Sequence, residues 1–175
     1  MAVKMNDTLL DLIEGDITEL EVDAIVNSAS PDLKLSGGVG KSILSKGGRS
    51  IQSECKRIGG TPVGTAVMTG AGKLRVKQVI HAVGPRAGEG DEDRKLASAV
   101  RSALALADRN GLRSIAIPAI SAGSKGFPLD RCARILLTEV HRYLQGGTKL
   151  ETVIVVLHGD DNYKTFRREL RRGFR

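Results

Sequence analysis

The stretch from Asp23 to Ser42, DAIVNSASPDLKLSGGVGKS, joins an apolar run of strand length to a glycine-rich segment that opens a helical pattern. Glycines let backbone N–H groups converge on an anion without crowding from side chains. A helix that begins near Val39 or Gly40 directs its free amides to the same point. The stretch therefore predicts a strand–loop–helix unit whose glycines either bind a phosphate or only turn the chain.

Apolar runs of strand length alternate with helical patterns along the rest of the chain. The further strand-like runs are TLLDLIEG (8–15), GTAVMTG (64–70), KQVIHAV (77–83), SIAIPAI (114–120) and LETVIVVLHG (150–159). Helical patterns cover residues 39–59, with a break at Gly47-Gly48, and residues 91–111, 128–147 and 161–172. This order predicts one α/β domain over residues 1–175, a three-layer α/β/α sandwich on a mixed, mostly parallel sheet of about six strands, two of them paired as a hairpin.

The composition is that of an ordinary globular chain: 175 residues, of which 41% are hydrophobic and 27% charged. We expect a soluble, cytoplasmic protein, because no apolar run approaches a membrane span and the first residues lack a secretory signal pattern. Cys55 and Cys132 lie in helical patterns without metal-ligand spacing, which predicts reduced thiols and no metal site.

The formal net charge of +7 favours anionic partners only weakly. Much of the excess lies in the final segment FRRELRRGFR (166–175), which is either the solvated face of a last helix or a surface for nucleic acid. An aromatic content of 3% leaves few platforms on which single-stranded bases could stack. The solvated face is therefore the favoured interpretation.

The segment SGGVGKS (36–42) is similar to the nucleotide-binding P-loop, G-x-x-x-x-G-K-[ST], but Leu35 occupies the place of the first glycine. It also fails the K-G-G-x-G-K-[ST] form of chromosome-partitioning ATPases, because Ser36 stands in place of the leading lysine. A P-loop follows its strand directly, whereas residues 28–35 separate the strand from these glycines. A P-loop-like NTPase is therefore a minor alternative.

Further motifs surround this unit in a fixed order along the chain. They are GDIT (15–18), DAIVNSAS (23–30), SGGVG (36–40), VIHAVGP (79–85) and PAISAGSKGFP (118–128). Together they resemble the macrodomain family, which binds ADP-ribose, and the resemblance runs from about residue 10 to about residue 170.

The resemblance implies a role for each matching residue. The Asp16 carboxylate would accept a hydrogen bond from the adenine amino group beside the Ile17 amide; the other interpretation of Asp16 is a turn or helix-cap residue after the first strand. Asn27 would lie near the distal ribose with Phe127 behind it, unless Asn27 only caps its strand. Two loops would enclose the phosphates: Gly37, Gly38, Val39 and Gly40 in the first, and Ser121, Ala122, Gly123, Ser124, Lys125 and Gly126 in the second.

Two histidines receive different predictions. His158, at the end of the last strand, would border the adenine. His81 lies in the middle of a strand between apolar residues, which predicts a core histidine with satisfied hydrogen bonds. The resemblance implies neither a cofactor nor a metal ion.

The sequence departs from the hydrolytic members of the family, which remove ADP-ribose from acidic side chains or deacylate O-acyl-ADP-ribose. Gly40 stands where they carry an aspartate that positions or activates water, and Ser30 stands in place of a second asparagine. Lys125 replaces an aromatic residue on the distal ribose. Lys41 and Lys125 either add charge over the phosphates or face solvent, the latter being favoured for Lys41, and neither has a neighbour that predicts the depressed pKa of a nucleophile.

Because general acid–base assistance is typically worth ~10²–10⁴ in rate, these departures affect turnover more than binding. The sequence thus favours a protein that binds ADP-ribose, free or attached to protein or nucleic acid. The alternative is a weak hydrolase of ADP-ribosyl esters or O-acyl-ADP-ribose in which Asn27 is the catalytic residue. A third hypothesis is a binder of nucleic acid or poly(ADP-ribose) that uses Arg168, Arg171 and Arg172.

Overall fold

A mixed sheet of seven strands forms the centre of the computed structural model, which describes residues 1–174. The strands are β1 (Ala2–Met5), β2 (Thr8–Glu14), β3 (Ala24–Ser28), β4 (Ala66–Gly70), β5 (Gln78–Ala82), β6 (Ser114–Ile117) and β7 (Thr152–Leu157), in the spatial order β1-β2-β7-β6-β3-β5-β4. The inner pairs are parallel, whereas β1 and β4 pair antiparallel at the two edges. The parallel strands therefore end at one side of the sheet, where open α/β sheets bind their ligands.

Helices cover both faces of the sheet. They are α1 (Gly37–Gly47), α2 (Arg49–Ile58), α3 (Glu92–Arg109), α4 (Leu129–Leu144) and α5 (Asp160–Gly173), and a single 3₁₀ turn spans Ile17–Glu19. α3, α4 and α5 pack on one face and α1 and α2 on the other. The predicted three-layer α/β/α sandwich is confirmed.

The alternation of side chains along β3 shows how the sheet serves both layers. Ala24 and Val26 belong to the large core under α3, α4 and α5, whereas Ile25 belongs to the core under α1 and α2. Because successive side chains of a strand point to opposite faces, Asn27 follows Ile25 and lies on the α1 side. The strand thus delivers one buried polar side chain beneath α1.

The structure differs from the sequence prediction in two elements. The sheet has one more strand than expected. This strand, β1, was not predicted because it exposes Ala2 and Lys4 at the sheet edge and lacks the apolar run that marks the other strands. α1 begins at Gly37 and not near Val39 or Gly40, because Gly37 takes a φ of 72° that turns the chain into the helix earlier. The other strands and helices, the β4–β5 hairpin and the break at Gly47-Gly48 are confirmed.

The carboxyl end of α1 is fixed to the turn between β4 and β5. The Lys73 amide donates to the Gly47 carbonyl over 2.9 Å. Gly72, at a φ of 54°, approaches so closely that a Cβ added to it would lie 2.1 Å from the Gly47 oxygen. This backbone contact holds the carboxyl end of α1 against the turn.

Gly72→Ala should lower the free energy of unfolding by roughly 2 kcal/mol, since it adds both left-handed strain and a backbone clash. Gly88→Ala is the matched control, because Gly88 also has a positive φ, of 85°, but open space around its Cα. Urea denaturation of both variants and the wild type measures the difference. Equal losses in the two variants would show that the Gly47–Gly72 contact does not constrain the fold.

Candidate functional site

A cleft of about 410 Å³ opens at the side of the sheet where the parallel strands end. Its lining comes from the segment after β2, the end of β3, the amino end of α1, the loop after β6, and the end of β7. These segments are distant in sequence and meet because their strands are neighbours in the sheet. The cleft therefore lies where the topology of the fold predicts a ligand site.

The first wall of the cleft is the amino end of α1. Gly37 has a left-handed backbone, which glycine adopts without steric cost, and the Ser36 side chain makes no capping hydrogen bond. The first amides of the helix therefore lack an intrahelical partner. Gln52 of α2 holds the preceding loop, since its Oε1 accepts the Leu35 amide over 2.7 Å and its Nε2 donates to the Leu33 carbonyl over 3.2 Å.

The second wall is the loop from Pro118 to Pro128. Ser121 has a φ of 69°, and its amide donates to Ser28 Oγ over 3.1 Å while its carbonyl accepts the Phe127 amide over 3.0 Å. A residue other than glycine in this conformation costs on the order of 1–3 kcal/mol, so the surrounding contacts must hold it. Its Oγ is buried without a hydrogen-bond partner in the part of the chain that the structure describes. The hydroxyl group packs against Gly84, since a Cβ added to Gly84 would lie 2.3 Å from it.

The two walls approach each other at Gly37 and Ser124. A Cβ added to Gly37 would lie 3.1 Å from Ser124 Oγ. The amides of Gly123 and Ser124 donate no hydrogen bond to a backbone carbonyl within residues 1–174. Two segments with unpaired amides therefore border one cleft, an arrangement that suits an anionic group.

Asp16 lies at one end of the cleft, directly after β2. Its Oδ1 accepts the Thr18 amide over 2.9 Å and the Thr18 hydroxyl over 2.6 Å, which caps the 3₁₀ turn. Its Oδ2 pairs with Lys46 of α1 over 2.6 Å. Burial opposes ionisation, but the hydrogen bonds from Lys46 and Thr18 prevail and lower the pKa of Asp16 to about 2. Asp16 is therefore both a cap and an ionised acceptor at the cleft.

The end of β7 completes this part of the cleft. His158 is exposed and lines it, together with Val156, Leu157 and Asn162. The sequence prediction named only His158 among these four. The other three could not be named from the sequence, because their place at the cleft depends on the pairing of β7 with β2, in which Leu157 stands opposite Glu14, two residues before Asp16.

Most of the predicted site residues line the cleft, namely Asp16, Ile17, Gly37, Gly38, Val39, Ser121, Ala122, Gly123, Ser124 and Lys125. Four others lie outside its lining. Phe127 is buried in the large core, and Gly126 is exposed at a φ of 74°. Asn27 and Gly40 lie behind the first wall, where a Cβ added to Gly40 would be 3.7 Å from Asn27 Oδ1.

Asn27 belongs to a buried polar cluster beneath α1. Its Nδ2 lies 3.2 Å from His81 Nδ1, and His81 Nε2 lies 2.9 Å from Thr69 Oγ1 and 3.6 Å from Cys55 Sγ. Because the Thr69 hydroxyl donates to the Gly70 carbonyl over 2.9 Å, it accepts from His81 Nε2, and His81 Nδ1 accepts from Asn27. Asn27 Oδ1 is left buried without a partner among the described residues.

His81 is neutral in this cluster. Its ring is fully buried, and burial lowers its pKa to about 4. Both ring nitrogens have hydrogen-bond partners. The predicted satisfied core histidine is confirmed.

Of the two predicted placements of Lys125, the solvent-facing one is wrong, because the residue is largely buried although it lines the cleft. It is 9% exposed, and its Nζ donates to the carbonyls of Ala29 and Gly84, the latter over 2.8 Å. Burial and the nearby Arg86 lower its pKa to about 8. The depressed pKa of Lys125 could not be predicted from the sequence, because the groups that surround its amine come from other parts of the chain.

Lys41 is exposed on α1 and does not line the cleft. In a P-loop the corresponding lysine reaches the phosphates. β3 ends at Ser28, and the loop up to Ser36 separates it from α1. Both observations count against a P-loop.

Other classes of site find little support in the described residues. Within residues 1–174 no group of three or more His, Cys, Asp or Glu side chains could hold a metal ion. Cys55 and Cys132 are buried free thiols in α2 and α4. None of the helices over the same residues is long and apolar enough to span a membrane.

Comparisons with known proteins agree with this geometry. The macro domain family model matches residues 26–136. A macro domain-containing protein of Caldanaerobacter subterraneus subsp. tengcongensis is 47% identical over 163 residues, which cover 90% of this chain and 93% of that protein. The Oceanobacillus iheyensis macrodomain with ADP is similar at a TM-score of 0.95 and 30% identity, covering 98% of this chain and 95% of that chain. The Trypanosoma brucei macrodomain in complex with ADP-ribose is similar at a TM-score of 0.85 and 34% identity, covering 91% of this chain and 68% of that chain.

The buried cluster predicts a pH dependence of stability. The unfolded chain binds a proton at His81 near pH 6.5, whereas the folded protein binds it only near pH 4. The free energy of unfolding should therefore fall as the pH drops through this window, by about 3 kcal/mol from this group. His81→Gln should lack this component, which is measured by urea denaturation of both proteins from about pH 7 to pH 4. Parallel profiles would contradict a neutral His81, because the carboxylates titrate in both proteins.

Proposed function

The chain belongs to the macro domain family, and we propose that it binds ADP-ribose in the cleft between α1 and the loop from Pro118 to Pro128. The main support for this proposal is that two walls with unpaired amides face each other across the cleft, at Gly37 in α1 and at Gly123–Ser124 in the loop. Such walls fit a diphosphate, which can accept several hydrogen bonds at once. The related Oceanobacillus iheyensis macrodomain with ADP and the Trypanosoma brucei macrodomain in complex with ADP-ribose support the proposal.

The orientation of the ligand follows from the chemistry at the two ends of the cleft. The ionised Asp16 carboxylate is an acceptor for the adenine amino group, and the Ile17 amide lies beside it. Val156 and His158 border the same end, where the former offers an apolar contact for the base. The distal ribose then lies towards Ser28 and Ser121, which line the cleft.

The four predicted residues outside the cleft lining act from behind the walls in this proposal. Gly40 lets α1 approach the preceding loop, since a Cβ there would lie 3.2 Å from the Leu35 carbonyl carbon, and Asn27 keeps one acceptor oxygen directed away from His81. Gly126 turns the second loop at a positive φ, and Phe127 anchors its end in the core. They shape the site without lining it.

Weak hydrolysis is the second candidate, and the unpartnered Asn27 Oδ1 is the observation that favours it. Three features weigh against efficient turnover. Asn27 lies behind the first wall, Gly40 has no side chain to activate water, and the Ser30 hydroxyl donates to Asp32 over 2.7 Å. Binding of ADP-ribose, free or attached to protein or nucleic acid, is therefore the principal proposal.

The C-terminal arginines are a separate matter. α5 begins at the cleft, where Asn162 lines it, whereas Arg168 and Arg172 lie six and ten residues further along the helix. At about 1.5 Å per residue they are roughly 9–15 Å from that end along the helix axis. Any contact with nucleic acid or poly(ADP-ribose) at these arginines would therefore be additional to the cleft.

Isothermal titration calorimetry should detect micromolar binding of ADP-ribose and much weaker binding of ATP. Asp16→Ala should weaken ADP-ribose binding by about tenfold or more, because it removes a charged hydrogen-bond acceptor at the base. Glu21→Ala is the matched control, since Glu21 is an exposed carboxylate outside the cleft lining.

Three outcomes would contradict the proposal: tighter binding of ATP than ADP-ribose, no binding of either, or equal losses in the two variants. Incubation with an ADP-ribosylated protein separates the two candidates. Release of ADP-ribose that is abolished by Asn27→Ala would favour the hydrolase.

A further inference from the structure

Lys125 connects three loops at the site. Its Nζ donates to the Ala29 carbonyl, just after β3, and to the Gly84 carbonyl, just after β5, while its own carbonyl accepts the Ala87 amide over 3.0 Å. Lys125 itself belongs to the loop after β6 and lines the cleft. One side chain therefore fixes the second wall to the ends of the two neighbouring strands.

The ammonium group of Lys125 is poorly compensated for its burial. Two backbone carbonyls accept from it, and within residues 1–174 it forms no ion pair with a carboxylate. Burial, with the repulsion of Arg86, lowers the pKa of Lys125 to about 8, against an opposing attraction from Glu89. An anion bound nearby would supply the missing negative charge.

We propose that Lys125 positions the second wall of the cleft and also provides a buried positive charge for the diphosphate, so that ligand binding draws a proton onto its amine. The inference rests on the proposed binding of ADP-ribose. It adds to that function a coupling between ligand and proton. By linkage, any ligand that favours the protonated amine must bind less tightly when the amine is deprotonated.

The other charged groups around Lys125 differ from it in a way that permits a test. Arg86 is a cationic neighbour of Lys125, and Glu89 is paired with Lys95 of α3 over 3.3 Å. At the cleft, the Asp16 carboxyl is already ionised at a pH far below neutral, and the His158 imidazole also lines the cleft. If the affinity for ADP-ribose depends on pH above neutrality, substitution of Lys125 shows whether this residue is the cause.

The experiment measures ADP-ribose binding to the wild-type chain by calorimetry from about pH 7.5 to about pH 9.5. The dissociation constant should rise by about tenfold over this range, since the free protein must gain a proton on binding above the pKa of Lys125. Titrations near pH 8.5 in buffers of different ionisation enthalpy should show proton uptake. A constant affinity without proton uptake would overturn the inference.

Substitutions separate the charge of Lys125 from its packing. Lys125→Met should bind more weakly at about pH 7.5 and lose the pH dependence, whereas Lys125→Arg should lose the pH dependence but bind more tightly than Lys125→Met at about pH 9.5. Lys41→Met is the matched control and should keep the wild-type profile, because Lys41 is exposed outside the cleft lining. A wild-type slope in Lys125→Met would overturn the assignment.

The failures of the two proposals are distinguishable. Absence of ADP-ribose binding to the wild type at about pH 7.5 would overturn the proposed function, whereas pH-independent binding would overturn only the role of Lys125. Thermal unfolding of each variant checks that it folds. If Lys125→Met does not fold, the pH profile of Lys125→Arg and the proton uptake of the wild type still test the role of Lys125.

Discussion

Backbone amides without partners are acceptable in a folded protein only where water or a ligand can reach them, and this constraint governs the site. The amino end of α1 and the loop after β6 both carry such amides, and both lie where the parallel strands end. Each is held by contacts that do not use the cleft: Gln52 holds the loop before α1, and Ser28 and Phe127 hold Ser121. The sheet therefore fixes two sets of donors that cannot satisfy each other.

The architecture could be predicted well from the sequence because the signals for strands, helices and breaks lie within short segments of the chain. Near-continuous Val, Ile and Leu runs mark the inner strands, and paired glycines mark the break between α1 and α2. β1 escaped prediction because an edge strand of four residues needs only one partner and carries alternating exposed side chains. The start of α1 escaped because it depends on the backbone conformation that Gly37 takes in the folded chain.

The site residues were predicted by motif and placed only in part, for a different physical reason. A motif names the residues of a loop, but long-range contacts decide which side chains reach the cleft. Asn27 turns towards His81, Phe127 towards the core, and Lys125 under its loop towards two carbonyls. Each partner comes from a strand or loop remote in sequence, so no local pattern reveals it.

The walls of the cleft are made largely of main chain, and this has a consequence for how such a protein changes over time. A substitution can remove a side-chain contact, but only proline removes a backbone N–H. The set of backbone donors along the cleft is therefore insensitive to most replacements that leave the path of the chain intact. Substitutions over time can alter the surface charge and the exposed faces of the helices while the backbone donors stay in place. The similarity in fold to the Oceanobacillus iheyensis macrodomain, at 30% identity, is what such tolerance allows.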